Sequence, residues 1–192
     1  MKLGILGGSF NPPHMAHLVI AEEMKHRLAL DRILFVPVCQ PPHKKNSGVI
    51  DPEERYKMTL LATSDNMAFQ VWDGEIKAGG VSYTINTVRA LKREYPGDGL
   101  FFIMGMDSLV EFRSWKEWEE IIREIEVAVY PRAGFNLGDV EEGLRGRVLF
   151  VEAPGLDISS SEIRRRVFSG LPFRYLVPSR VYDYIKAKSL YR

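Results

Sequence analysis

Short, continuous apolar runs alternate along the chain with longer stretches in which apolar residues recur every three or four positions. The first kind reads as strands buried on both faces, the second as amphipathic helices. Residues 1–6 and 31–37 are the first two runs, the second ended by Pro37. Residues 18–28 between them carry helical spacing. A further helix opens with Asp51 as N-cap, Pro52 in the first helical position and Glu54 in the third, and Arg55 reads as an exposed arginine on it. Residues 69–72 alternate as a strand does, and Asp73-Gly74-Glu75-Ile76 with Gly79-Gly80 reads as a loop free to bend or move. Ile85, Val88 and Leu91 mark a helix face that Ser82 or Thr84 would cap. Residues 100–105 form the longest apolar run and so a central strand. Beyond it the pattern predicts an amphipathic helix over residues 116–122 capped by Ser114, and strands at 127–130 and 148–151. Ser159 with Glu162 makes a capping box that starts another helix, and Pro178-Ser179 opens a last one that buries Val181, Tyr184, Ile185 and Leu190. This alternation predicts an α/β fold, a doubly wound parallel sheet forming a single domain over residues 1–192.

The chemistry concentrates where the first strand turns into the first helix, at Gly7-Gly8-Ser9-Phe10-Asn11-Pro12-Pro13-His14-Met15-Ala16-His17. In an open parallel sheet this turn lies at the ligand crevice. Glycines allow the backbone to approach a ligand closely, and the free N–H groups of a helix start attract phosphate. His14 and His17, three apart, share one face of the first helical turn. Glycine and proline at such a junction are also ordinary turn chemistry. The H-x-x-H spacing suits a metal as well, but no third ligand follows at short spacing. Taken together, two imidazoles, a Gly-Gly-Ser turn and a helix start point to a polyphosphate. A second cluster lies at the predicted start of a late helix, where Ser160 and Arg164 are four apart and share a face, as a clamp for β- and γ-phosphates would.

The first stretch resembles the G-x-F-[DN]-P-x-H-x-G-H signature of the HxGH nucleotidyltransferase superfamily, with Ala16 where glycine is commonest. Nearly the whole chain resembles the bacterial nicotinate-nucleotide adenylyltransferases. Pro41-Pro42-His43-Lys44 matches their PPHK or PPHR loop, Ser82-Tyr83-Thr84 with Thr87 their SYT-x-x-T, and Gly105-Met106-Asp107-Ser108-Leu109 their G-x-D-S-L. Arg132 aligns with their R-P-G segment, in which Ala133 replaces proline, and Ile158-Ser159-Ser160 through Arg164 matches their I-S-S-x-x-I-R. The resemblance implies a Rossmann-like nucleotidyltransferase fold and transfer of AMP from ATP to nicotinate mononucleotide, with release of pyrophosphate. It implies catalytic roles for His14, His17 and Arg164, and ATP contacts at Gly7, Gly8, Ser9, Phe10, Asn11, Gly105, Asp107, Ile158, Ser159 and Ser160. It puts the mononucleotide near His43, Lys44, Tyr83, Thr84, Thr87, Trp115 and Arg132, with Trp115 against the pyridine ring and Trp118 left to the core. Free N–H groups at a helix start suit a pyridine carboxylate as well as a phosphate. Mg²⁺ is implied as a cofactor bound mainly through the ATP phosphates, with no protein metal-ligand set. Two other functions remain open on the residues alone: adenylyl transfer to nicotinamide mononucleotide or phosphopantetheine, and a non-catalytic nucleotide sensor.

Composition narrows the partners. The chain has 192 residues, 45% hydrophobic and 27% charged, as in an ordinary soluble globular protein. A net charge of +1 provides no bulk attraction to nucleic acid or membrane, so any phosphate affinity is local. One cysteine, Cys39, excludes an intramolecular disulfide and fits a reducing compartment. There is no signal-peptide pattern, and no apolar run approaches the ~20 residues of a membrane span. The expectation is a cytoplasmic protein whose partners are ATP and nicotinate mononucleotide, with no nucleic acid and no membrane; a homo-oligomer is left open.

Overall fold

The structure, a computed structural model, describes residues 1–42 and 48–192. A six-stranded parallel sheet runs through it. Its strands are β1 (Lys2–Gly8), β2 (Arg32–Pro37), β3 (Phe69–Val71), β4 (Gly99–Gly105), β5 (Glu126–Tyr130) and β6 (Leu149–Phe150). Their order across the sheet is β3-β2-β1-β4-β5-β6, so the winding reverses between β1 and β4. That reversal is where an open α/β sheet parts its loops and leaves a crevice at the carboxyl ends of the strands.

Helices α1 (Met15–Arg27), α2 (Pro52–Thr63), α3 (Gly74–Ala78), α4 (Thr84–Glu94) and α5 (Met106–Val110) lie in the first part of the chain. After them come α6 (Trp118–Glu124), α7 (Glu142–Arg145), α8 (Ser160–Phe168) and α9 (Ser179–Ala187). Strand side chains alternate between two cores. Leu3, Ile5, Leu34 and Val36 pack with Ile85, Val88 and Leu91 of α4 on one face. Leu6, Ile33 and Phe35 pack with Ile20, Ala21 and Met24 of α1 on the other. This two-sided burial is why the strands read as unbroken apolar runs. At Gly4 a Cβ would come within 2.8 Å of the Cδ1 atoms of Ile33, Ile103 and Leu30, so a larger residue there would make these side-chain tips repack. A third cluster, from α2, α8 and α9, joins Met58, Ile163, Val181 and Ile185 beside the sheet.

The structure corrects several local expectations. Residues 74–78 form α3 rather than an open loop. Neither Ser82 nor Thr84 caps α4: Tyr83 holds the N-cap position without a side-chain bond, and Ser82 Oγ instead accepts from the Cys39 N–H at 2.9 Å. Ser114 does not cap α6, which starts at Trp118 after Glu117 in a left-handed conformation, and its hydroxyl donates to the Glu111 carbonyl. Ser159 caps α8 by accepting from the Glu162 N–H at 3.2 Å, but the Glu162 carboxylate turns to Arg165 and Arg166. The helix-start box is half closed because two guanidiniums outcompete one backbone N–H for a carboxylate. The last strand, β6, has two residues, both about 40% exposed, because it is an edge strand. Among the described residues no helix is long and apolar enough to cross a membrane.

The turn after β1 rests on Phe10, a bulky residue at φ 44° whose ring is 1% exposed and packs on Gly8, Phe35 and His17. Left-handed backbone is costly for such a residue, and its buried ring offsets the strain. Phe10→Ala keeps the strain and removes the packing. It is expected to lower stability by about 3–5 kcal/mol, read by urea denaturation.

Candidate active site

The site grows from the β1–α1 turn. Gly7, Gly8 and Ser9 carry the chain past the end of β1, and the Asn11–Pro12 peptide is cis. His14 takes the N-cap of α1 and His17 the third helical position. Their rings stack with centroids 3.7 Å apart. The His14 N–H donates to His17 Nδ1 at 3.1 Å. A neutral His17 accepting at Nδ1 holds its proton on Nε2, the donor a phosphate oxygen can use. Among the described residues His14 Nδ1 is buried without a hydrogen-bond partner. Burial and the charge of Arg132 push His14 down to about 3. Burial, His14 and Arg132 likewise push His17 well below its usual value. Both imidazoles are therefore neutral near pH 7. Arg132, after β5, lines the same crevice with Ala16 and Tyr130, and the segment Pro154-Gly155-Leu156 forms its far wall. Small Ala16 at 4% exposure is compatible with that narrow space.

The second motif docks onto the first across almost the whole chain. Ser160 Oγ donates to the Pro12 carbonyl at 2.8 Å, over 148 residues of sequence. Arg164 Nη1 donates to the Asn11 carbonyl at 2.9 Å and Nη2 to Ser161 Oγ at 3.1 Å, with the guanidinium half-buried at the loop rim. Asn11 is 2% exposed and its side chain is already engaged. Its amide donates to the Gly48 carbonyl at 3.1 Å, and its Oδ1 accepts from the Tyr191 hydroxyl at 2.9 Å. Asn11 and Phe10 thus shape the loop from behind, while Gly7, Gly8 and Ser9 face open space. Ser159 works as the cap of α8, and Ile158 packs beside the α2–α8–α9 cluster.

On the other side of the same turn lies a cavity of about 470 Å³. Gly7, Gly8, Ser9, Pro41 and Pro42 bound it on one side, and Tyr83, Thr84, Thr87 and Trp115 on the other. The Trp115 ring is held by Phe112 and Phe102, at centroid distances of 5.2 and 6.0 Å, and presents its remaining surface to the cavity. Trp118 packs against the core and carries Arg113 and Arg147 over its ring, at 5.0 and 5.8 Å. The start of α4 opens beside Tyr83 and Thr84, so its first N–H groups suit an anionic group. Gly105 ends β4 next to this crevice; a Cβ there would lie 2.3 Å from the Asp107 carboxylate, so glycine leaves room for that carboxylate. His43 and Lys44 lie outside the described residues. Arg132 stands with the histidines rather than in this cavity.

Three residues here were not legible as site residues. Arg55, expected at the surface, is 0% exposed. It donates to the carbonyls of Ser9 and Cys39 at 2.8 Å and of Ile50 at 3.1 Å, fastening the turn after β1 to the segment after β2. Its helical phase with buried Met58, Thr59 and Ala62 is the signal that places it inward. Glu75 and Lys116 line the Trp115 cavity. Glu75 sits on a five-residue helix between glycines, which has no periodicity to read.

Among the described residues no three His, Cys, Asp or Glu side chains form a metal cage. Magnesium keeps several waters and binds through one or two carboxylates plus substrate phosphates. Asp107, in the first turn of α5 just after β4, the strand paired with β1, fits that mode as a single oxygen donor.

Comparison with known proteins bears on the family and the fold. Residues 5–166 match the family model described as cytidylyltransferase-like. The chain is 43% identical to a protein of Moorella thermoacetica named "Probable nicotinate-nucleotide adenylyltransferase", over 100% of this chain and 92% of that one. A protein of the same name from Geobacter sulfurreducens is also 43% identical, over 100% and 98%. Among solved structures, the fold is similar to the Plasmodium falciparum nicotinic acid mononucleotide adenylyltransferase complexed with NaAD, with TM-score 0.82 and 20% identity over 99% of this chain and 97% of that one.

Two outcomes follow from the site as built. Arg55→Ala leaves three carbonyls without their donor and is expected to cost about 2–4 kcal/mol in thermal or urea unfolding, with Arg55→Lys recovering only part because one ammonium cannot replace the guanidinium fork. The lowered histidine values fix the sign of an acid effect. Unfolded histidine titrates near about 6.5, so the unfolded chain takes up protons that the fold excludes. Stability present above that pH is expected to fall as pH drops from about 6.5 toward the His14 value of about 3. A His14→Gln, His17→Gln double variant should show a shallower loss of melting temperature between about pH 7 and 5.

Proposed function

Because the chain belongs to the cytidylyltransferase-like nucleotidyltransferases, and among them to the nicotinate-nucleotide adenylyltransferases, we propose that it transfers AMP from ATP to nicotinate mononucleotide, giving nicotinate adenine dinucleotide and pyrophosphate in NAD biosynthesis. One observation carries this proposal: the neutral His14–His17 crevice and the Trp115 cavity lie on either side of the turn at Gly7, Gly8 and Ser9. Two substrates bound there meet across that turn.

The reaction is an in-line displacement at the α-phosphorus of ATP by a phosphate oxygen of the mononucleotide. That oxygen is already an anion near pH 7, so the reaction needs neither a general base nor a covalent intermediate. The protein's task is to hold two anions together and to neutralise the charge that moves to the leaving pyrophosphate. His17 offers Nε2–H, and His14, buried beside Arg132, offers a second imidazole. Each gains most when phosphate oxygens gain charge. Arg164, anchored by one nitrogen on the Asn11 carbonyl, supports the leaving pyrophosphate. Trp115 stacks on the cationic pyridine ring, and the start of α4 at Tyr83 and Thr84 receives the ring carboxylate. Magnesium, held by the ATP phosphates with Asp107 as the protein oxygen available to its water shell, would supply further charge neutralisation.

The deciding experiment is pyrophosphate release from ATP and Mg²⁺ with nicotinate mononucleotide, nicotinamide mononucleotide and phosphopantetheine as separate acceptors. A strong preference for the nicotinate compound is expected. Preference for phosphopantetheine would refute the Trp115 assignment, and ATP binding without release to any acceptor would refute catalysis. His14→Ala and His17→Ala should each lower kcat by about 10²–10³ with a smaller change in ATP affinity. Trp115→Ala should raise KM for the mononucleotide by about 3- to 30-fold while leaving KM for ATP nearly unchanged.

A further inference from the structure

Glu75 is a carboxyl in the wall of the acceptor cavity whose local bonding is incomplete. The Thr87 hydroxyl donates to its Oε1. Among the described residues its Oε2 is buried and makes no hydrogen bond of good geometry, although the Ser82 hydroxyl lies near the carboxyl. The other charges of α3 turn away, Lys77 pairing with Asp73 at 2.9 Å. From the elements packed around it, the facing polar groups are the Arg55 guanidinium of α2 and the hydroxyls of Ser82 and Thr87. Lys116, before α6, lines the same cavity with its ammonium 4.8 Å over the Tyr83 ring. The neighbouring strands present Ile5, Gly7, Gly8, Val36 and Phe102, all uncharged. Burial pushes the Glu75 carboxyl up, and the two hydroxyls and Arg55 only partly draw it back.

An acceptor whose pyridine carboxylate sits at the start of α4 therefore shares a low-dielectric space with a second carboxyl. Two carboxyls so placed resist being ionised together. We infer that Glu75 sets the acceptor's charge preference, taking one proton from solvent onto Oε2 when a pyridine carboxylate enters and returning it when the acceptor leaves. In that state Oε1 still accepts from Thr87, and Oε2 carries the hydrogen. A neutral Glu75 suits a carboxylate ring substituent, whereas an ionised one suits a carboxamide, whose N–H groups it can accept. The inference rests on the nicotinate-acceptor function proposed above.

The test compares kcat/KM for nicotinate mononucleotide between the wild type and Glu75→Gln from about pH 6 to 9. Gln keeps the acceptor for Thr87 and cannot ionise. The acceptor phosphate and the histidines titrate alike in both enzymes and cancel in the ratio. The ratio of wild type to variant is expected to fall about tenfold per pH unit above the midpoint of the Glu75 proton. A ratio flat with pH overturns the inference and leaves the adenylyltransferase function standing. Absence of pyrophosphate release from the wild type with either pyridine mononucleotide overturns that function, and this inference with it. If the variant does not fold, calorimetry on the wild type in two buffers of different ionisation enthalpy decides. Uptake of one proton more with nicotinate than with nicotinamide mononucleotide supports the inference, and equal uptake overturns it.

Discussion

A guanidinium sealed from water at the base of the site ties the loop after β1 to the loop after β2. Arg55 gives its hydrogens to three backbone carbonyls, those of Ser9, Cys39 and Ile50. Such a charge is tolerated because each of its three nitrogens donates to a carbonyl, and each carbonyl recovers part of the lost hydration. A carbonyl cannot be protonated away as a carboxylate can, so this fastening is insensitive to acid. It also fixes where Ser9 stands, between the histidine crevice and the acceptor cavity. The wall shared by the histidine crevice and the Trp115 cavity thus traces back to one side chain of α2.

With its two ends fixed, the turn works electrostatically by local means. The chain's net charge of +1 exerts no general pull on nucleotides. Attraction comes from helix starts at α1 and α4, from Arg132 and Arg164, and from imidazoles kept neutral by burial. A resting site with neutral histidines avoids holding several bare cations close together.

Much of the fold was legible in the chain. Two-sided burial made β1, β2, β4 and β5 visible as apolar runs, and α1, α4 and α9 showed one-sided spacing. The histidine turn and the Ser160–Arg164 cluster were legible because helix-start chemistry is local. What was not legible depends on tertiary partners. Ser82 prefers a Cys39 N–H far away in sequence to capping its own helix. Arg55 looked like surface because its three carbonyls come from other segments, although its phase with Met58 and Ala62 pointed inward. Glu75 lies on one turn of helix, too short for any period to show. Asn11 matched a ligand motif, yet its amide is spent on Gly48 and Tyr191.

That last bond has a consequence for how the molecule comes into being. Tyr191, which bonds to Asn11, is synthesised 180 residues after it. Ser160 and Arg164 reach the same loop over 148 and 153 residues. Contacts this distant in sequence close late, after the strands that frame them. The first functional turn to be synthesised is therefore among the last parts to set. A nascent chain can build most of its sheet and still have no firm floor for phosphate.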